Sequence, residues 1–109
     1  MGDEKYTAAF ELIMNAGNAK SKALMAIEAA RDFDFEEAEK CLKEAEVDMR
    51  KAHQAQFDMI QDEANGKPVD VHIILVHAQD HLTMAMMARD NAEEFINLYK
   101  MIKELKEAK

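Results

Sequence analysis

Apolar residues recur at steps of three and four positions along three long stretches of the chain, with polar residues between them. This spacing is typical of an amphipathic α-helix, in which one turn takes about 3.6 residues. The stretches predict helices over about residues 4–31, 34–64 and 71–105. No stretch alternates apolar and polar residues in the way that a half-buried strand does.

Two short breaks separate the predicted helices. In the first, "RDFDFEE", Asp34 is followed three residues later by Glu37, which resembles a capping box at the start of a helix. In the second, "NGKPVD", the pair Asn65–Gly66 suits a helix end and Pro68 prevents its continuation. Asp70 is then the candidate cap of the third helix.

Long helices with short connections predict an all-α fold, an antiparallel three-helix bundle that runs up, down and up like a spectrin repeat. The chain of 109 residues is long enough for one such domain, spanning 1–109. The predicted apolar stripes are, on helix one, Phe10, Ile13, Gly17, Leu24 and Ile27, and on helix two, Phe35, Ala38, Leu42, Ala45, Met49, Ala52, Gln56 and Met59.

The third helix has two predicted apolar faces. One consists of Ile74, Met84, Ala88, Phe95, Leu98 and Ile102, and the other of Ile73, Val76, Thr83 and Met87. A helix that is apolar on two faces packs on two sides. We therefore expect self-association through the face that the bundle does not cover.

Composition narrows the class of protein. The net charge is −8, from 14 basic and 22 acidic residues, without a basic patch, so nucleic acid is not an expected partner. Cys41 is the only cysteine and suits a reducing compartment. No apolar run approaches the roughly 20 residues of a membrane span, and the N-terminus does not resemble a signal peptide. We expect a cytoplasmic protein without direct membrane insertion.

Polar residues that could take part in catalysis or metal binding cluster at the start of the third helix, in "ILVHAQDHL" (residues 74–82). His77 and His81 are four positions apart and therefore share a helix face, and Asp80 lies on the flank of His77. Three interpretations fit this spacing: structural histidines held by hydrogen bonds, a Zn²⁺ site with a further ligand from elsewhere, or a nucleophilic histidine. Spacing alone does not choose among them.

Three segments resemble one family. "VHIILVHAQDHL" (residues 71–82) resembles the active-site segment of the lactose/cellobiose/chitobiose IIA components of the bacterial phosphoenolpyruvate-dependent sugar phosphotransferase system. "ELIMNAGNAKSKAL" (residues 11–24) and "AHQAQFDMIQDEANG" (residues 52–66) look like its motifs on the first and second helices. One departure is "HLTMAMM", where Thr83 and Met84 are exchanged relative to many members, which bears on packing or assembly rather than on chemistry.

The resemblance implies a phosphoryl carrier. It implies that His77 receives a phosphoryl group from the phosphohistidine of HPr and passes it to a cysteine of the IIB component, while the IIC component transports the sugar. It also implies a homotrimer with a divalent metal on its three-fold axis, held by Asp80. Oxygen ligands favour Mg²⁺ or Ca²⁺ at such a position.

Further residues are candidates from their spacing. His81, one turn from His77, is expected to support it by donating a hydrogen bond or by orienting its ring. Gly17, Ser21 and Gln56 are candidates for lining the groove, although ordinary packing and capping explain them equally well. Gly17 costs about 1 kcal/mol relative to alanine within a helix, which suggests close approach by another helix or by a ligand. A non-catalytic, zinc-binding helical oligomer and a regulatory IIA-like phosphoprotein remain the alternatives.

Overall fold

The structure is a computed structural model that describes residues 3–108, with the side chains of residues 6–108. It contains three helices, α1 (Asp3–Arg31), α2 (Phe35–Ala64) and α3 (Ile73–Glu107), and no strand within the described range. The helices form an elongated bundle of 64 × 23 × 19 Å in which α1 packs against both of the others. The predicted all-α fold is confirmed.

The connection between α1 and α2 is closed by backbone and side-chain hydrogen bonds. The amide of Asp34 donates to the carbonyl of Ala29, and that of Phe33 to the carbonyl of Ala30, both at 2.9 Å. Phe33 has φ of 62°, the left-handed conformation that such a helix end requires and that glycine usually supplies. The Asp34 carboxylate accepts a hydrogen bond from the Glu37 amide at 3.2 Å, so the predicted cap of α2 is confirmed.

The connection between α2 and α3 begins as the sequence predicted, but it ends at a different residue. Gly66 has φ of 84° directly after the last residues of α2, as the glycine suggested. However, α3 begins at Ile73, and its cap is His72 instead of Asp70. His72 has extended backbone angles, its Nδ1 accepts a hydrogen bond from the Leu75 amide at 3.2 Å, and its ring meets the Tyr6 ring edge-on at 4.9 Å.

The core of α1 consists mainly of alanines. The fully covered positions recur at steps of three and four and are Ala9, Leu12, Ala16, Ala19, Ala23, Ala26 and Ala30. The stripe that the sequence suggested for this helix is therefore correct only in part: Ile13, Gly17 and Ile27 are half-buried, but Phe10 is 56% exposed and Leu24 is 47% exposed. Small side chains let helix axes approach closely, so the bundle places alanines inside and turns larger apolar residues outward.

The predicted stripe of α2 is confirmed, since its members are buried or half-buried. On α3 only Ile74 and Ala88 of the first predicted face are half-buried against the core, whereas its other members, Met84, Phe95, Leu98 and Ile102, are exposed. The inward positions of α3 are Leu75, Ala78, Leu82, Ala85, Arg89, Ala92, Ile96 and Tyr99, which are buried or half-buried. Among the described residues, none of the helices combines the length and the apolar content needed to cross a membrane.

Ion pairs tie the helices together, among them an exposed one between Lys100 of α3 and Glu39 of α2 at 3.4 Å. The Lys22 ammonium of α1 lies 2.8 Å from the carboxylate of Asp48 on α2, which is only 8% exposed. Arg89 of α3 binds Glu46 of α2, and its guanidinium also contacts Asp90 and Glu93 on its own helix. Hydrogen bonding to Asp48 raises the pKa of Lys22, despite the opposing effect of desolvation.

Candidate functional site

The two predicted histidines of α3 are in direct contact. The Nε2 atoms of His77 and His81 lie 3.0 Å apart, and the rings meet edge to face with centroids 4.5 Å apart. One Nε2 must carry the hydrogen and the other must accept it. His77 is exposed and His81 is half-buried, while Ala78 and Leu82 beneath them are buried and hold this part of α3 on the bundle.

His77 opens onto a groove between α1 and α3. The groove is lined by Phe10, Ile13, Ile73, Ile74, Val76, His77 and Asp80. Its floor and walls are mostly apolar, and His77 and Asp80 are the polar groups that border it. The structure thus brings two of the predicted site residues, the imidazole and the carboxylate, to one accessible surface.

Gly17 and Ser21 do not line this groove. They follow Ile13 at steps of four, so helix geometry places them about one and two turns further along α1. Ser21 is exposed and Gly17 is half-buried. Within the described part of the chain, no atom of another segment lies within 4 Å of the position that a Cβ on Gly17 would take, so the expected approach by another helix of this chain is wrong.

Gln56 lies in a second groove, between α2 and α3. Its Nε2 donates a hydrogen bond to Oε1 of Gln79, and both residues line a mainly apolar groove with Met59, Ile60, Glu63, Val69, Val71, Leu75 and Val76. Sequence reasoning missed Gln79, because its spacing of two from His77 places it on a different side of the helix. Val76 lines both grooves and separates them.

The described side chains, residues 6–108, do not gather carboxylates and imidazoles into a complete metal site within one chain. Among them, no three side chains of His, Cys, Asp or Glu lie together as possible ligands of one ion. Asp80 is exposed beside the uncovered apolar face of α3 and offers one carboxylate per chain.

The chain matches the family model described as the lactose/cellobiose-specific IIA subunit of the phosphotransferase system over residues 7–100. This chain belongs to that family. It is 43% identical, over 95% of its length and 94% of the relative, to the lichenan-specific phosphotransferase enzyme IIA component of Bacillus subtilis.

Two solved structures show the same fold as this IIA chain. The cellobiose-specific enzyme IIA of Bacillus anthracis superimposes with a TM-score of 0.87 at 38% identity and covers 90% of each chain. The IIA(chitobiose)–HPr complex of the Escherichia coli phosphotransferase system superimposes with a TM-score of 0.79 at 32% identity, covering 91% of this chain and 96% of that one.

Family membership gives this IIA chain its activity. IIA components of the phosphotransferase system are phosphotransferase components that carry a phosphoryl group. An exposed imidazole on a helix, such as that of His77, is a suitable acceptor for such a group, because neutral imidazole is a good nucleophile near neutral pH.

Proposed function

We propose that His77 is the residue that carries the phosphoryl group, which it receives from the phosphohistidine of HPr and passes to a cysteine of the IIB component. The observation that carries this proposal is the exposed His77 ring, with His81 Nε2 at 3.0 Å, beside an open groove. The relative solved as a IIA(chitobiose)–HPr complex supports HPr as the donor. The cytoplasmic side of the membrane is the expected place for this relay.

The transfer needs little from the protein beyond position and charge. The bond between phosphorus and the donor nitrogen breaks as the bond to a lone pair of His77 forms, so the reaction requires in-line approach and stabilisation of the phosphoryl oxygens. His77 stands on a helix that is anchored by buried Ala78 and Leu82, which gives the incoming group a constant target. His81 serves as the hydrogen-bond donor to a phosphoryl oxygen or as the partner that orients His77.

The working unit is a homotrimer in which the exposed face of α3 meets two copies of itself. Ile73, Val76 and Met87 on this face are 78%, 50% and 63% exposed in the single chain, which supports burial against further copies. Asp80 then supplies three carboxylates near one axis. Like charges repel in a partly dry interior, so a divalent cation such as Mg²⁺ or Ca²⁺ fits there, and its contribution is to neutralise that charge.

The experiment is phosphorylation with phosphoenolpyruvate, enzyme I and HPr, followed by intact-mass measurement. The wild type is expected to gain one phosphate that is labile in acid and stable in base. His77→Ala should gain none while retaining its helix content, because truncating an exposed side chain costs under about 1 kcal/mol. His53→Ala, on the exposed surface of α2, is the matched control and should behave as the wild type does.

The same experiment separates the relay from its alternatives. A zinc-binding oligomer would acquire no phosphate, and phosphate on His77→Ala at the wild-type rate would refute the assignment of His77. A regulatory phosphoprotein would accept phosphate from HPr but would not deliver it to IIB, so a second incubation with the IIB component distinguishes signalling from transport.

A further inference from the structure

The exposed face of α3 contains an eleven-residue repeat. Its positions follow steps of three, four and four, and they are Ile73, Val76, Asp80, Met84, Met87, Asn91, Phe95, Leu98 and Ile102. All of these residues are exposed, and the seven apolar ones have between 42% and 78% of their surface accessible. Most members of the two predicted apolar faces of this helix, all except Ile74, Thr83 and Ala88, are therefore parts of one continuous stripe.

This repeat differs from the one on the inward side of the same helix. The inward positions, from Leu75 to Tyr99, follow steps of three and four, which is a seven-residue repeat. Eleven residues take three turns at about 3.67 residues per turn, close to the 3.6 of an undistorted helix, so an eleven-residue stripe runs nearly straight along the axis. The exposed stripe spans residues 73–102 and is about 43 Å long.

A straight stripe of this length fits identical stripes best when the helices run parallel and in register. In that arrangement each residue meets its own counterpart at the same height along the axis. Two residues of the stripe are polar, Asp80 and Asn91, and they occupy the same place in successive repeats, about 16 Å apart along the helix. Burying a carboxamide in the middle of an apolar stripe removes it from water, which costs free energy that an apolar residue would not lose.

We propose that Asn91 forms a second polar layer on the trimer axis, where the three carboxamides hydrogen-bond to one another and select the parallel, in-register assembly. This inference rests on the trimer proposed above. An amide carries both donors and an acceptor, so three of them satisfy one another without a cation. The Asn91 layer therefore differs from Asp80, whose three charges require neutralisation.

A residue that selects the register of the three α3 helices is needed, because the apolar repeat alone permits one helix to slide along the others. Sliding one helix by eleven residues brings Ile73 level with Met84 and Met84 level with Phe95, so the apolar contacts persist. The slide, however, brings the Asn91 of the shifted helix level with Ile102 on both neighbours, and it brings the Asn91 of each neighbour level with the Asp80 of the shifted helix. The amide that faces Ile102 has no hydrogen-bond partner in an apolar surrounding, which disfavours the slipped assembly.

Antiparallel pairing is disfavoured for the same reason. Full overlap of two antiparallel stripes places Asn91 opposite Met84 and Asp80 opposite Phe95. Neither polar group then meets a partner. A single polar residue in an otherwise apolar helix seam is known to set register and copy number at a cost in stability.

The test compares Asn91→Leu with Asn97→Leu. Asn97 is an exposed asparagine of the same helix that lies outside both the stripe and the inward repeat, so the second variant introduces the same chemical change without touching the proposed layer. Sedimentation over a range of concentrations should give one trimeric species for the wild type and for Asn97→Leu. Asn91→Leu should assemble about tenfold more tightly or better, because an apolar layer replaces the amides.

Register is measured by cross-linking in a Cys41→Ala background. Chains with Ile73→Cys are mixed with chains with Met84→Cys and oxidised, and mass spectrometry counts mixed 73–84 cross-links against those between like positions. Asn91→Leu should raise the mixed fraction about threefold or more, and Asn97→Leu should not. Equal tightness and equal register in the two variants would refute the role of Asn91 while leaving the trimer intact. A wild type that is monomeric at every concentration would refute the trimer and the Asn91 layer together.

Discussion

His77 and His81 meet through the same ring atom, since Nε2 of one lies 3.0 Å from Nε2 of the other. A hydrogen bond between two imidazole nitrogens needs one hydrogen, so one ring donates and the other presents a lone pair. The contact aims the half-buried His81 at the edge of the exposed His77 ring, where an incoming phosphoryl group would be bound.

His81→Ala should slow phosphoryl transfer from HPr without moving the phosphate to another residue. Loss of one positioned donor typically reduces such a rate by about a hundred- to a thousandfold. His81→Gln, which retains an N–H donor of similar reach, should recover much of the rate. The measurement is the rate of mass gain with limiting phospho-HPr, followed by peptide mapping. Phosphate found on residue 81 of the wild type would reverse the two roles.

Asp80→Leu should free the assembly from divalent cations. Three Asp80 carboxylates at one axis repel, so we expect the wild-type trimer to loosen in chelator at neutral pH and to recover in Mg²⁺. The leucine variant should remain trimeric under both conditions, by sedimentation. Asp62→Leu, at an exposed carboxylate near the end of α2, serves as the control and should retain the response to chelator. Dissociation of Asp80→Leu would show that this residue does not lie on the axis.

Gly17→Ala should raise the stability of the chain and yet slow phosphoryl transfer. A Cβ at position 17 meets no atom within 4 Å, so the substitution should raise the free energy of unfolding by about 0.5–1 kcal/mol through the better helix propensity of alanine. If Gly17 keeps the groove edge open for a partner, transfer from HPr should nevertheless slow, by about tenfold.

Gly66→Ala provides the contrast for that measurement. Its φ of 84° is strained for any residue with a Cβ, so this variant should lose about 1 kcal/mol of stability while its transfer rate stays unchanged. Urea unfolding and transfer kinetics on both variants check the direction of the change in stability and in transfer rate. A stabilised Gly17→Ala variant with the wild-type rate would show that Gly17 does not keep the groove edge open.

Alkaline pH should destabilise the bundle in part through Cys41. Burial raises the pKa of the buried Cys41 thiol above its ordinary 9.0, and the hydrogen bond to Glu37 at 3.6 Å raises it further. The folded chain then holds this proton more tightly than the unfolded chain. The stabilisation is complete below the unfolded pKa and is lost as pH rises through the raised folded value.

The free energy of unfolding should therefore fall as pH increases above about 9, and fall less steeply in Cys41→Ala. Urea titrations at several alkaline pH values give the two slopes. Lys22, whose pKa Asp48 raises above 10.5, adds a further decline at higher pH in both proteins. Identical slopes between pH values near 9 and 10 would show that Cys41 does not contribute.

Local features of the sequence determined where the helices begin and end. Steps of three and four, the Asp34 cap and the Asn65–Gly66 stop act within a few residues, so their consequences follow from the chain itself. The shared face of His77 and His81 follows in the same way, because residues four apart on any helix are neighbours. The cap of α3 escaped this reasoning, since a histidine in extended conformation reached Leu75 in place of Asp70.

Only the tertiary structure decided which apolar face lies inside. Periodicity identifies several apolar stripes on α1 and α3 but does not show which of them the bundle buries. The stripes that the larger apolar residues suggested lie mostly outside the core. The bundle instead buries small residues such as Ala16 and Ala85, because small side chains at the contact let the helix axes approach closely. The groove between Phe10 and His77 and the Gln56–Gln79 bond likewise join distant segments, and distance along the chain carries no information about such contacts until the helices pack.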